Sequence, residues 1–330
     1  MPEITVIVCA RNEEKTLSSA LESLTVQTVP NSDYEVIVVN DASTDRTSEI
    51  ARNFCSSHEF FRLIDISDAD RNGEKLKGKQ LCLHKAIAAS EGKFIIQLDA
   101  DCTAANNFIE LYLAKFRAGY SFIFGITDIA SDNSLLSKFQ RADLHYLMTI
   151  AHLSAKLGWP LSSMGNNMGY VKSDYYEVGC YETLGANIVE DYQLMLAFKR
   201  RGKKIAVLEK CVPVLTKPEE SFKAFLLQRI RWASGAFLPN LSMHIMLLAR
   251  ALMSLTVVVA LIAILLFENG ILLWPAVAVV IVDLSTFLLG AKVTKKRGVT
   301  TALPLWLCWF YLSPLVLGVS AFFTSKIRWK

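Results

Sequence analysis

The first two hundred residues alternate two hydrophobic rhythms, and the chain then abandons both. "ITVIVCA" (4–10) is a β-branched run stopped by the polar "RNEE", which predicts a buried strand. "KTLSSALESLTVQ" follows with apolar residues at helical spacing. "YEVIVVNDAS" (34–43) predicts a second strand, and "TDRTSEIARNFCSS" a second helix with Ser43 or Thr44 as its cap. "FRLIDI" reads as a third strand, "GKQLCLHKAIAASEG" as a helix closed by Gly92, and "KFIIQLDADC" as a fourth strand. Strands and helices that alternate across short links define an α/β fold with a doubly wound, mostly parallel sheet flanked by helices.

From about residue 245 the pattern becomes continuously apolar. Three runs, 245–267, 271–291 and 303–323, each reach the roughly 20 residues that cross a bilayer. Three in succession do not fit buried helices of a soluble core. Arg250 stands near the start of the first run, where its head can snorkel to the interface. Asp283 sits deep in the second and must face protein or water. Pro304 and Pro314 are placed to bend the third. The basic loop "KVTKKRG" belongs on the cytosolic side by the positive-inside rule, together with the amino-terminal domain. The tail "SKIRWK" is also basic, yet three full spans would put it outside. Either the tail breaks the rule or one run is re-entrant. The expected organisation is a cytosolic domain over 1–240, then an α-helical membrane region over 241–330 with about three transmembrane or re-entrant helices.

Composition adjusts this picture in three places. The net charge of +4 on 330 residues leaves no concentrated basic stripe, which argues against a nucleic-acid partner. The seven cysteines (Cys9, Cys55, Cys82, Cys102, Cys180, Cys211, Cys308) include no CxxC pair, so the expectation is reduced thiols rather than a zinc site or disulfide framework. "MPEITVIVCARNEE" enters a strand at once and does not match a cleavable leader.

The candidate chemistry gathers at strand ends. Arg11, Asn12 and Glu13 follow the first strand, Asn40 and Asp41 close the second, and Asp99 and Asp101 close the fourth. Doubly wound sheets bind ligands at the carboxyl ends of their strands, so three successive polar ends point to one crevice. Neither GxGxxG nor GxxxxGK[ST] is present, and "NGEKLKGKQ" has Gln80 where a phosphate cradle needs Ser or Thr. Acidic strand ends suggest instead a divalent cation, Mg2+ or Mn2+, bridging carboxylate and phosphate. Asp99 and Asp101, two apart on a strand, would point the same way.

The ordered set "VIVCARNEEKTL", "VIVVNDASTDRT", "KGKQLCLHKAI", "IIQLDADC", "GNNMGYVKSDYYEVGCY", "VEDYQLMLAFKRRGKKI" and "QRIRW" resembles the family 2 glycosyltransferases of GT-A fold. Within them it is similar to the membrane branch of cellulose, chitin and hyaluronan synthases and ceramide-type glucosyltransferases. The resemblance implies inverting transfer of a sugar from a nucleotide-diphosphate sugar. Asp99 and Asp101 match the DxD motif, with Asp101 implied at the metal and Asp99 nearer the nucleoside. Asp41 matches the aspartate that reads the uracil edge, which implies a UDP-sugar. Arg11 and Glu13 match the cluster flanking the nucleoside, and Lys79 the lysine near the donor phosphates.

Asp191 in "VED" matches the general base. Glu190 is a weaker candidate, because neighbouring helix positions point about 100° apart. Gln228, Arg231 and Trp232 match QxxRW and share one helical face, where Trp can stack on a ring and Arg can meet diphosphate. The surrounding stretch, about 219–235, also reads as an amphipathic interface helix. Asn166 and Asn167 in "GNNMGY" are candidates for acceptor hydroxyls.

The expected protein is a metal-dependent hexosyltransferase in the plasma (inner) membrane. Its expected partners are a nucleotide-sugar donor, a lipid or glycan acceptor and the bilayer, with homo-oligomerisation left open. A processive polysaccharide synthase is the alternative, since its polymer would need a pore that three spans scarcely provide. A non-catalytic nucleotide-sugar module would be expected to lose Asp191 or the DxD carboxylates. A small transporter would leave the soluble motifs unexplained.

Overall fold

The computed structural model describes the chain except residues 68, 73, 131, 186–188, 209–213, 237–240, 268–269, 272, 295–298 and 324–330. The basic residues Lys295, Lys296 and Arg297 and the tail "SKIRWK" therefore lie outside the described residues. Two compact units are formed, Met1–Asp128 with Ser154–Lys217, and Ile129–Leu153 with Pro218–Lys330.

In the first unit, β1 (Ile4–Ala10), β2 (Tyr34–Asp41), β3 (Phe61–Ile66) and β4 (Phe94–Asp99) alternate with α1 (Leu17–Thr25), α2 (Thr47–Ser57) and α3 (Lys79–Ala89). Then come β5 (Cys102–Ala104), α4 (Phe108–Arg117), β6 (Phe122–Phe124), β7 (Thr127–Ile129) and, counted mostly with the second unit, α5 (Leu135–Lys156). β8 (Asn167–Val171), α6 (Lys172–Glu177), α7 (Cys180–Leu184), α8 (Glu190–Arg200), β9 (Ile205–Val207) and β10 (Val214–Thr216) complete it. Seven strands form one sheet in the order β3-β2-β1-β4-β8-β6-β9. β1 pairs in parallel with both β2 and β4, and β2 with β3. β8 runs antiparallel to β4 and β6, while β9 is parallel to β6. A second sheet has the order β5-β10-β7.

This is the doubly wound α/β architecture that the sequence predicts, and the strand pattern has a plain cause. Every residue of β2 is buried, and all of β1 but Cys9. A strand covered by helices on both faces must be apolar on both faces, so it reads as a run rather than an alternation. The chain winds outward from β1 through β2 to β3, then returns to place β4 on the other side of β1. That reversal opens a crevice at the carboxyl ends of β1 and β4. Because β8 is antiparallel, its beginning lies at the same edge, with Asn167 opposite Leu98.

Three local expectations are corrected. Helix α2 starts at Thr47, and neither Ser43 nor Thr44 caps it. Ser43 Oγ instead accepts from the Asn12 amide at 3.1 Å, and the Thr44 amide donates to Asn12 Oδ1 at 2.9 Å. These bonds lace the β1 and β2 exits together, while Asp45 Oδ1 takes the Thr47 amide at 3.0 Å. Gly92 does not close α3, which ends at Ala89. It is required by a close approach, since a Cβ there would strike the Thr5 and Ile4 backbone. Finally, β4 stops at Asp99, and Asp101 lies in the following turn rather than on the strand.

In the second unit, α9 (Phe222–Ala236), α10 (Leu241–Phe267), α11 (Leu273–Thr294) and α12 (Leu303–Phe323) join most of α5. Three stretches are long and apolar enough to cross a membrane: Leu247–Leu266, Leu273–Ala291 and Thr300–Leu317. Their shared core includes Tyr146, Phe225, Phe287, Trp306 and Phe310. Asp283 faces protein, as its position demands. It accepts from Arg250 at 3.0 and 2.9 Å, from Tyr146 at 2.9 Å and from Tyr311 at 2.8 Å. Arg250 therefore turns inward and does not snorkel, its guanidinium lying 3.9 Å from the Phe310 ring centre. A carboxylate in an apolar environment is tolerable only when paired and hydrogen-bonded, and Arg250 is the partner that makes Asp283 tolerable.

Arg250→Met leaves Asp283 buried and uncompensated. We expect it to lower the stability of the detergent-solubilised protein by about 3–5 kcal/mol. The double variant Arg250→Met/Asp283→Leu should recover most of that loss in the same thermal unfolding measurement.

Candidate active site

The crevice is built from the ends of parallel strands, so each carboxylate inherits its place from the sheet. Asp99 is the last residue of β4 and pairs in register with Cys9 of β1. Asp41 is the last residue of β2. Glu190 and Asp191 open α8, where exposed amide groups and the helix dipole favour negative charge.

Lys79, the first residue of α3, joins two of these ends. Its ammonium lies 2.5 Å from Asp99 Oδ1 and 3.7 Å from Glu190 Oε1. Burial alone would lower its pKa, but the two carboxylates outweigh burial and raise it, so Lys79 stays charged. Glu190 is 3% exposed, and burial pushes its carboxyl up to about 8, against the opposing pull of Lys79. Asp191 is likewise raised, by burial first. Two backbone donors orient it: the Gly165 amide at 2.7 Å to Oδ2 and the Tyr192 amide at 2.7 Å to Oδ1.

Asp101 is pushed up to about 6 by burial and then by the charge of Asp99, with Glu13 adding to the effect. The Cys102 thiol donates to its Oδ1 at 3.1 Å. Asp99, Asp101, Glu13, Lys79, Glu190 and Asp191 thus form one electrostatic cluster, although sequence separates them by up to 178 residues (191 − 13).

Asp41 is held at the next strand end. Arg71 donates to its Oδ1 at 2.6 Å, and Arg11 lies 3.7 Å from Oδ2. Arg71 was missed by sequence reasoning. It belongs to a short 3-10 turn in the loop after β3, a loop weighed only for its glycines. A lone arginine in that loop gave no periodic signal.

Asn166 and Asn167 part company. Asn166 is half-buried, accepts from Thr127 Oγ1 at 3.0 Å and donates to Cys102 Sγ at 3.6 Å, which ties it to the turn carrying Asp101. Asn167 is fully buried, accepts from Tyr112 OH at 2.9 Å and donates to Thr127 Oγ1 at 3.4 Å. Its amide is spent inside the sheet layer.

Gln228, Arg231 and Trp232 belong to the second unit, on α9. Gln228 donates to Glu219 at 2.7 Å and accepts from Arg229 at 2.6 Å. Arg229, between the motif positions, is 6% exposed and donates to Asp143 at 2.7 Å. Its guanidinium lies 4.2 Å from the Trp232 ring centre.

The sequence matches Glycosyl transferase family 2 over residues 5–177 and Glycosyl transferase family group 2 over 94–324, and the chain belongs to glycosyl transferase family 2. It is similar to the Probable glycosyltransferase YdaM of Bacillus subtilis, 26% identical over 239 residues, covering 71% of this chain and 55% of that one. It is also similar to the 4,4'-diaponeurosporenoate glycosyltransferase of Staphylococcus aureus, 25% identical, covering 62% of this chain and 54% of that one. The chain thus spans about half the length of these relatives. The solved mannosyltransferase PcManGT from Pyrobaculum calidifontis, in complex with GDP-Man and Mn2+, shares the fold with a TM-score of 0.57. That match is 15% identical and covers 98% of this chain and 88% of that one.

Lys79→Met removes the cation from between Asp99 and Glu190. We expect a stability loss of about 1–3 kcal/mol, toward the low end because Asp99 keeps some solvent contact. Thermal unfolding of the purified protein checks it.

Proposed function

We propose that this protein is an inverting glycosyltransferase that moves a sugar from a nucleotide-diphosphate sugar, of the UDP class, to a lipid or lipid-linked acceptor. The observation that supports it most is the meeting of Asp41, Asp99, Asp101, Lys79 and the Glu190–Asp191 pair at one sheet edge.

The leaving diphosphate concentrates negative charge and needs a counter-charge. Asp99 and Asp101 supply hard oxygen donors, and burial together with the charge of Asp99 raises the pKa of Asp101. Such a donor set fits Mg2+ or Mn2+, which would neutralise the diphosphate as it leaves. Lys79 adds a fixed positive charge beside Asp99. Asp41 is a hydrogen-bond acceptor suited to the ring N–H of uracil, with Arg11 and Arg71 fixing its carboxylate.

Asp191 accepts the proton of the attacking hydroxyl. The two amides of Gly165 and Tyr192 hold its carboxylate in one orientation, so it acts without first reorganising. Glu190, buried beside Lys79, serves as the neutral or charge-sharing neighbour that sets the field around Asp191. Asn166 is the better placed of the two asparagines to meet an acceptor, since Asn167 is occupied internally. A lipid acceptor is favoured over a growing polymer because three apolar helices offer access from the bilayer but little room for a channel. Gln228, Arg231 and Trp232 are assigned to the acceptor and diphosphate side. The catalytic domain is assigned to the cytosolic face of the plasma membrane.

Asp191→Asn should cut transfer by about 10²–10⁴-fold while nucleotide binding persists. Retained turnover would remove Asp191 as the base. The assay is incubation of membranes with a panel of labelled nucleotide sugars, followed by separation of lipid-extractable from polymeric product. Polymeric product alone would replace the lipid acceptor by a synthase reading. Asp101→Ala should abolish the dependence of donor binding on added Mn2+, as read by calorimetric titration with UDP.

A further inference from the structure

A chain of five hydrogen bonds runs through the first unit and ends on Asp101. The Tyr112 hydroxyl of α4 donates to Asn167 Oδ1 at 2.9 Å, and Asn167 Nδ2 donates to Thr127 Oγ1 at 3.4 Å. The Thr127 hydroxyl donates to Asn166 Oδ1 at 3.0 Å, and Asn166 Nδ2 donates to Cys102 Sγ at 3.6 Å. The Cys102 thiol then donates to Asp101 Oδ1 at 3.1 Å. Every donor points the same way, from α4 toward the carboxylate. Bonds in such a series polarise one another, so each strengthens the next.

The members of the chain are held by packing. Tyr112, Thr127, Asn167 and Cys102 are all fully buried, and they come from α4, β7, β8 and β5. Gly125 leaves room for the Asn167 amide, which an added Cβ would strike. Thr216 of β10 stands opposite Cys102 in register and backs its strand. Burial, and after it the charges of Asp101 and Asp99, push the Cys102 thiol well above its ordinary range, so it keeps its proton and remains a donor.

We propose that Cys102 is a positioning residue which, with Asn166 behind it, holds Oδ1 of Asp101 and leaves Oδ2 for a divalent cation. This role rests on the reading of Asp101 as a ligand of that cation. Groups that bond to the ligands of a metal orient them and tune its affinity. Three consecutive residues then serve both halves of the site. Gly165 donates its amide to Asp191 at 2.7 Å, Asn166 steadies Asp101 through Cys102, and Asn167 is anchored to α4. The segment Gly165–Asn167 thereby fixes the spacing between the proposed base and the proposed cation ligand.

The test titrates Mn2+ calorimetrically into the detergent-solubilised full chain with UDP present. Metal-free UDP affinity and thermal unfolding are measured beside it. We expect Cys102→Ala to weaken Mn2+ binding about 10–100-fold while metal-free UDP affinity is kept. Cys102→Ser retains a donor at the same position and should recover part of the loss. Asn166→Ala should weaken Mn2+ binding less, and should add nothing in the Cys102→Ala background, because its effect passes through the thiol. Unchanged Mn2+ binding in folded Cys102→Ala overturns the positioning role and leaves Asp101 as a ligand. Equal losses in Cys102→Ala and Cys102→Ser, with an additive effect of Asn166→Ala, overturn it as well. If Cys102→Ala does not fold, unchanged Mn2+ binding in Asn166→Ala overturns it. If UDP binding by the unaltered chain ignores Mn2+, the cation reading and the positioning role fall together.

Discussion

A single ammonium holds the carboxylate cluster together. Asp99, Asp101, Glu190 and Asp191 crowd together, and all but Asp99 are strongly desolvated, so a buried counter-charge stabilises the first unit around them. Lys79 supplies it from the first turn of α3, touching Asp99 on one side and Glu190 on the other. The sheet makes this contact possible. β4 lies beside β1 at the winding reversal, and the close approach at Gly92 brings the chain into β4 against the start of β1. The antiparallel β8 then returns the chain to the same edge, with Gly165 just before it to grip Asp191. One lysine, two strand ends and two backbone amides define the site.

The second unit solves the same electrostatic problem in apolar surroundings. Asp283 has both oxygens filled by Arg250, Tyr146 and Tyr311, from three different helices. Asp143 is filled by Arg229 and the Trp309 indole. Each carboxylate is paired with one arginine whose flat face lies on aromatic rings. The gain is geometric as well as energetic, since a bidentate or stacked guanidinium admits few helix registers. Both networks run through α5, which is why that helix groups with the apolar helices rather than with the strands on either side of it in sequence.

Much of the architecture was legible along the chain. The β-branched runs of β1 and β2, the helical spacing between them and the three apolar stretches each reflect a burial requirement that acts within a few residues. The strand-end carboxylates were legible too, because in a doubly wound sheet chain order dictates which ends share a crevice. The misreadings have local causes. Ser43 and Thr44 looked like caps, but they bond Asn12, a residue about thirty positions away that only the sheet brings near. Asp99 and Asp101 looked like same-face strand neighbours, but the strand ends between them. Arg250 looked like a snorkelling residue, because its partner Asp283 lies on another helix.

The sequence by itself determined which residues are apolar together, where strands end in charge, and that three helices can cross a membrane. Those properties follow from side-chain chemistry and short-range periodicity. The tertiary structure alone decided that Lys79 neutralises Asp99 and Glu190, that Arg71 holds Asp41, that Asn167 is spent inside while Asn166 faces the turn of Asp101, and that α5 joins the apolar helices. Each of these is a contact between residues distant in sequence. Its energy depends on separation and burial in space, and neither is written in the order of residues along the chain.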